Sequence, residues 1–274
     1  METNGSEFLE AYKLGAARAV AETAGAVQVV MVPDGMHVVS LECYGEKPAR
    51  KRGKAVFEDV GSFVAYVNKH KGDGTELFWS RPREGGMRVE AIFNHHTSAG
   101  AGWSDHRAEL VPVLSREWLR WMAENRKVMN QEDFARFLED GVLEIVQPKG
   151  AEVVEIASRL EAVKTVKFSR GVRMEDGNQE IHYEEGTEAR AGQKGAFKVP
   201  PVLKLGIRVF EDGDAYSLEA RLRYRIREDK LAMWYELVNH HAVFKDAVKS
   251  MGQKVAQGVG LTPLGGTWAG SASA

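Results

Sequence analysis

The sequence has 274 residues, of which 43% are hydrophobic and 28% are charged, and its formal net charge is −2. These values are typical of a globular protein with one large domain or two modest ones, and they exclude a globally basic chain, so nucleic-acid binding would need local sorting of charge. Cys43 is the only cysteine, which excludes an intrachain disulfide and a cysteine-rich zinc site.

The first part of the chain, residues 1–148, predicts a smaller mixed α/β region. Its polar N-terminus has no signal-peptide pattern and no apolar run is long enough to cross a bilayer, so we expect a cytoplasmic protein without membrane contact. Apolar spacing and turn residues predict helices over 6–24 and 59–70, a hairpin around the turn 33–35, a basic loop over 47–54, and strands over 76–80, 87–94 and 109–113.

Two short amphipathic helices are predicted next. Ser115 and Asn130 are suitable N-cap residues, because their side-chain oxygens can accept hydrogen bonds from the first helical amides. Each helix carries two aromatic residues at helical spacing, which favours burial in the core over stacking on a ligand. The pairs are Trp118 with Trp121 and Phe134 with Phe137.

The following region, residues 149–257, predicts an antiparallel sheet of about five strands packed by helices, so the expected fold class is α+β. Helices are predicted over 151–163 and 240–257, the second capped by Asn239, and strands over 166–172, 179–185, 202–210, 216–227 and 231–238. Residues 258–274 are rich in Gly, Ser and Ala and predict a flexible tail, in which Trp268 is either exposed or docked on a neighbouring subunit.

The strand predicted over 216–227 carries the most distinctive pattern, four arginines that alternate with apolar residues. Side chains alternate across a strand, so the four guanidinium groups would share one face and leave the other face apolar. We call this the arginine face. Its residues are Arg221, Arg223, Arg225 and Arg227.

A turn signal at 212–213, Asp-Gly, predicts a two-residue hairpin between this strand and the preceding one. That register sets Lys204 opposite Arg221 and adds Lys204 and Arg208 to the arginine face. Like charges directly opposite each other on a sheet are unfavourable by roughly 0.2–1 kcal/mol, so an anionic group should cover this face. The six basic residues are therefore the predicted nucleic-acid-binding residues.

Two sources of negative charge could neutralise the guanidinium groups of the arginine face. Glu180 and Glu184, on another predicted strand, could lie across it and form internal ion pairs. Alternatively, the ligand is a polyanion, because guanidinium groups give paired hydrogen bonds to phosphate and stack on bases. The sequence alone leaves both alternatives open.

Residues that could perform chemistry are few. His95, His96, Asp105 and His106 form the one cluster with the residue types of a metal site, but adjacent residues on a strand face opposite sides, and a structural turn is the simpler interpretation. Phosphate-binding, nucleophile and dinucleotide motifs are absent from the sequence. We therefore expect no catalytic residues, no metal and no cofactor.

Three blocks of sequence carry a family pattern: Gly-Trp-Ser-Asp-His-Arg-Ala at 102–108, Glu-Trp-Leu-Arg-Trp at 117–121, and Phe-Ala-Arg-Phe-Leu-Glu-Asp at 134–140. Together they resemble a phage and prophage family, the domain of unknown function 2303 (DUF2303), which includes the YfdQ-like proteins. The resemblance covers nearly the whole chain and implies a phage-encoded protein of early or recombination-region genes, acting in a bacterial cytoplasm. It supplies no catalytic residues, and His95 departs from the tyrosine expected of relatives.

Three hypotheses about function follow from these observations. The first is a non-enzymatic nucleic-acid-binding accessory protein that binds or anneals single strands through the arginine face and assembles as a homo-oligomer. The second is an inhibitor or modulator of a host protein or of an anti-phage defence system. The third is a metal-dependent hydrolase that uses the histidine cluster.

Overall fold

The structure, a computed structural model, describes residues 45–48, 50–81, 86–162, 166–175, 177–185 and 194–269. Residues from Arg52 onward belong to one compact unit. Within these described ranges, five helices and three sheets confirm the α+β class. The predicted helix over 6–24 and the hairpin around 33–35 lie outside the described residues.

The first sheet is mixed and has five strands. Strands β1 (Gly53–Phe57), β2 (Glu76–Ser80), β3 (Arg88–Ile92) and β4 (His106–Leu110) lie in the order β1-β4-β3-β2, and a short C-terminal strand completes the edge beside β2. The basic loop predicted over 47–54 thus runs into β1, which pairs in parallel with β4. This strand has the sequence Gly-Lys-Ala-Val-Phe, with one exposed basic residue and no clean alternation of apolar and polar residues, so it gives no period-2 signal, which is why β1 was not predicted.

Helix α1 (Val60–His70) confirms the helix predicted over 59–70. Asp59 is its N-cap, and the carboxylate accepts from the Ser62 amide at 2.7 Å. Buried Val60, Phe63 and Val67 recur at helical spacing, so the helix packs one apolar side into the core.

Three more helices follow, α2 (Arg116–Ala123), α3 (Gln131–Asp140) and α4 (Gly150–Ala162), with a 3-10 turn at Val142–Glu144. The predicted caps are confirmed: Ser115 Oγ accepts from the Trp118 amide at 3.1 Å, and Asn130 Oδ1 accepts from the Asp133 amide at 2.8 Å. The predicted core aromatics are confirmed as well. Trp118, Trp121, Phe134 and Phe137 are all buried.

The second sheet is antiparallel and also has five strands. Its members are β5 (Met129–Asn130), β6 (Ile145–Gln147), β10 (Val202–Arg208), β11 (Ala215–Arg227) and β12 (Lys230–Leu237), in the order β5-β12-β11-β10-β6. The chain enters β12 through a two-residue turn at Glu228 and Asp229, both with positive φ, as tight hairpins require. Strands from both sides of the boundary predicted at residue 148 belong to this sheet. The division of the chain into the regions 1–148 and 149–257 stays a prediction.

The third sheet holds the remaining strands, β7 (Val166–Arg173), β8 (Gln179–Glu185) and β9 (Lys194–Val199). The five strands predicted for the C-terminal half therefore exist but divide between two sheets. Gly171 in β7 lies directly against the Tyr224 ring of β11, where a larger residue would clash, and the Phe168 amide donates to Asp229 O at 3.1 Å. The third sheet thus packs on the apolar side of β11.

The last helix, α5 (His240–Val259), confirms the predicted helix over 240–257. Asn239 does stand at its N-cap position, but the residue is left-handed and its side chain makes no capping hydrogen bond. Residues predicted to be a flexible tail then form β13 (Leu264–Gly265), which pairs in parallel with β2. Trp268 packs on His95 of its own chain, with ring centroids 4.4 Å apart, an internal contact that neither predicted alternative, exposure or docking on a neighbouring subunit, included.

Candidate nucleic-acid interface

Strand β11 presents the arginine face as the sequence predicts. Along the strand, exposed residues alternate with buried or partly buried ones, and the four arginines are all exposed. Leu222 is buried on the opposite side, where Tyr224 and Ile226 pack against the hydrophobic core. The alternation is a direct consequence of the two-residue period of a strand.

The predicted hairpin register is wrong by two residues. Lys204 lies opposite Glu219 and not opposite Arg221, which instead faces Val202. The connection is longer than predicted because the Val209 carbonyl accepts from the Ser115 amide at 3.0 Å and the Glu211 amide donates to Val113 O at 3.0 Å. Residues after Arg208 therefore pair with another segment before the chain turns back into β11.

This register changes the neighbours of the basic residues but not the face on which they lie, since a shift of two preserves the side. Lys204 remains about 7 Å along the strands from Arg221, whereas Arg208 pairs with Ala215 and lies about 20 Å away. The structure thus brings Lys204 to the four arginines. Arg208, a predicted site residue, occupies the far end of the same face.

Strand β12 adds two residues that the sequence analysis missed. Trp234 lies directly opposite Arg223, and Lys230 lies opposite Arg227 at the turn. Buried residues occupy the alternate positions of β12, Met233 and Tyr235 among them, so Trp234 belongs to the arginine face. The period-2 pattern of 231–238, combined with the short turn before it, would have placed both Trp234 and Lys230 on the arginine face.

Ion pairing leaves most of this face uncompensated. Glu236 lies 3.6 Å from the Arg223 guanidinium, and it is opposite Arg221 in the ladder. Across the described part of the chain, Arg223 is the one arginine of the four with an ion pair. Exposed arginines that lack a carboxylate partner can bind an external anion without first breaking an internal contact.

The proposed internal counter-charges lie elsewhere. Glu180 is in β8 of the third sheet, opposite Val172 and Lys198, and its carboxylate lies 3.3 Å from His182. Glu184 is opposite Lys167 in the same sheet. Because that sheet packs on the apolar side of β11, neither of these two carboxylates covers the arginine face, and the internal ion pair that the described residues show there is the one between Arg223 and Glu236.

The histidine cluster does not converge on one point. His95 Nδ1 lies 2.9 Å from Ser104 Oγ, His96 Nδ1 accepts from the Gly102 amide at 3.0 Å, and Asp105 accepts from Asn94 at 2.7 Å. His106 is buried against aromatic rings. Within the described ranges, the structure shows no group of three or more such side chains able to hold a metal ion.

His95 is held in a closed structural position. It is buried beneath Trp268, with Ser104 at one ring nitrogen and Glu76 Oε2 3.4 Å from the other. Burial lowers the pKa of His95, against the opposing effect of Glu76, so the neutral imidazole is favoured. Ser104, His95 and Trp268 together fasten the C-terminal segment to the first sheet.

Fold and surface together define an α+β protein whose second sheet exposes a basic face. Residues 5–268 match the model of a family described as "Uncharacterized conserved protein (DUF2303)", and the chain belongs to this family. No curated protein and no solved structure shows a match to it. Among the helices that the structure describes, none is long and apolar enough to cross a membrane.

Proposed function

We propose that this chain is a phage-encoded, non-enzymatic accessory protein that binds nucleic acid through the arginine face, as a single-strand binding or annealing factor in the cytoplasm of a bacterial host. One observation carries the proposal: four exposed arginines in one row, with one ion pair among them in the described residues. Lys204 and Lys230 extend the same row. Guanidinium groups bind phosphate through paired hydrogen bonds, which a row of arginines can repeat along a strand.

Arginine spacing suits a linear polyanion. Alternate residues on a strand are about 6.8 Å apart, so the row from Arg221 to Arg227 extends about 20 Å. A stacked nucleic-acid strand has one phosphate about every 3.4 Å along its axis. Consecutive arginines therefore match every second phosphate of a stacked strand, or successive phosphates of a strand stretched about twofold.

The test is fluorescence anisotropy with a short labelled oligo(dT) and the double substitution Arg223→Glu/Arg225→Glu. Wild type should bind, and the variant should lose about tenfold or more in affinity because two phosphate contacts become repulsions. A matched control is Lys69→Glu/Arg136→Glu, which changes the net charge equally. Lys69 lies on α1 and Arg136 on α3, away from the arginine face.

Equal binding by wild type and by the arginine variant would overturn the proposal, as would equal losses in the variant and the control. Failure of wild type to bind any nucleic acid would leave a host polypeptide as the partner class, to be sought by pull-down with nuclease-treated lysate. Light-scattering mass, measured with and without the oligonucleotide, tests the proposed homo-oligomer in the same samples.

A further inference from the structure

We infer that Trp234 is the base-stacking residue of the arginine face, and that the preferred ligand is therefore nucleic acid with unpaired bases. The inference rests on the proposed function and assigns to it a ligand class and a residue. Trp234 is opposite Arg223 in the β11–β12 ladder, so its indole emerges in the middle of the row of guanidinium groups.

The indole lies outside the hydrophobic core in the described part of the protein. Its neighbours in the chain, Met233 and Tyr235, are fully buried, whereas Trp234 is partly exposed and takes no part in the hydrophobic core. No ring contact joins it to another aromatic residue of the described ranges. A partly exposed tryptophan beside a row of exposed arginines points to an external partner.

The neighbour of Trp234 on the same strand and face is a small residue. Ala232, two residues before Trp234 on the same face, is small and lies opposite Arg225. A base stacked on the indole would have Arg223 and Arg225 on the neighbouring strand, within reach of its phosphates. Stacking contributes to binding of every base, because each has a π-face, while the arginines contact the backbone.

Duplex nucleic acid cannot use this arrangement fully. Paired bases are stacked inside the helix, so the duplex offers phosphates to the arginines but no free base to Trp234. A single strand offers both. The structure thus predicts a preference for unpaired nucleotides that arises from one side chain.

The experiment compares three ligands at one salt concentration: oligo(dT), a blunt duplex of equal length, and an abasic oligomer with the same number of phosphates. Wild type should bind oligo(dT) more tightly than the other two. Trp234→Ala should weaken binding of oligo(dT) by about 5- to 150-fold, which is the range expected for the loss of one stacked base. The same substitution should change the affinity for the abasic strand by less than about twofold. Trp234→Phe should restore most of the affinity.

Equal wild-type affinity for oligo(dT) and the abasic strand would overturn the inference without any substitution, even if Trp234→Ala failed to fold. Unchanged binding of oligo(dT) by a folded Trp234→Ala protein would overturn it too. In both cases, loss of binding in Arg223→Glu/Arg225→Glu would leave the proposed function intact. Absence of binding by wild type to all three ligands would instead remove the proposed function.

Discussion

Neighbouring residues of β12 have separate roles because they lie on opposite faces of the sheet. Trp234 is on the arginine face, whereas the Tyr235 side chain is fully buried. The Tyr235 hydroxyl donates to Trp121 O at 2.6 Å, and its ring stacks on Phe137 with centroids 5.3 Å apart. Burial raises the pKa of Tyr235, so the hydroxyl keeps its proton and remains a donor.

Tyr235→Phe should lower the free energy of unfolding by about 1–3 kcal/mol, because the buried Trp121 carbonyl loses its donor while the ring packing is kept. Urea denaturation with an unchanged m-value is the measurement. Trp234→Phe, one position away, is the control and should shift stability by no more than about 0.5 kcal/mol. An unchanged midpoint for Tyr235→Phe would mean that the hydrogen bond contributes nothing net.

At the scale of single elements, the N-terminus of α1 provides a pH-dependent contact. The hydrogen bond from the Ser62 amide lowers the pKa of Asp59, with a further contribution from the Ser62 hydroxyl. A lowered folded-state pKa means that the contribution to stability is complete above the ordinary aspartate pKa of about 3.9 and is lost as pH falls through the folded value.

Asp59→Asn should remove this dependence, since asparagine can cap the helix without titrating. The stability advantage of wild type over the variant should shrink as pH falls from neutral to below about 3.9, measured by urea midpoints at each pH. A constant difference across that range would show that the cap does not depend on the charge of Asp59.

Local signals in the sequence were sufficient for much of the element-level description. The caps at Ser115 and Asn130 and the alternation of the arginines need few residues to be recognised, because each depends on spacing within one element. The register of β10 and β11 was predicted two residues out, because the turn signal at 212–213 competes with backbone bonds to Val113 and Ser115, distant in sequence.

At the scale of the whole molecule, pairing between segments distant in sequence determines which strands share a sheet, and local sequence patterns do not predict it. Strands β5 and β6 are too short to show a period, yet they flank the second sheet. The C-terminal strands divide between two sheets that meet where Gly171 contacts Tyr224, a contact that no single segment reveals. Trp268 likewise reaches His95 only through the pairing of β13 with β2.

The distribution of charge over the whole molecule determines how nucleic-acid binding should depend on salt concentration. With a formal net charge of −2, the chain has no overall attraction for a polyanion, so the salt dependence must come from the arginine face. Single strands give a slope of log affinity against log salt of about −0.7 per phosphate neutralised. If Lys204 and the four arginines each neutralise one phosphate, the slope should be about −3.5.

The contributions of individual arginines to this slope can be separated with the single substitutions Arg223→Gln and Arg225→Gln. Each substitution should make the slope less negative by about 0.7, and together by about 1.4. Arg225→Gln should weaken binding more than Arg223→Gln, because Arg223 must give up its contact with Glu236 to bind phosphate. Anisotropy titrations at several salt concentrations measure both quantities, with Lys69→Glu/Arg136→Glu expected to keep the wild-type slope. A slope near zero in wild type, or one that the arginine substitutions leave unchanged, would show that this face does not contact phosphate.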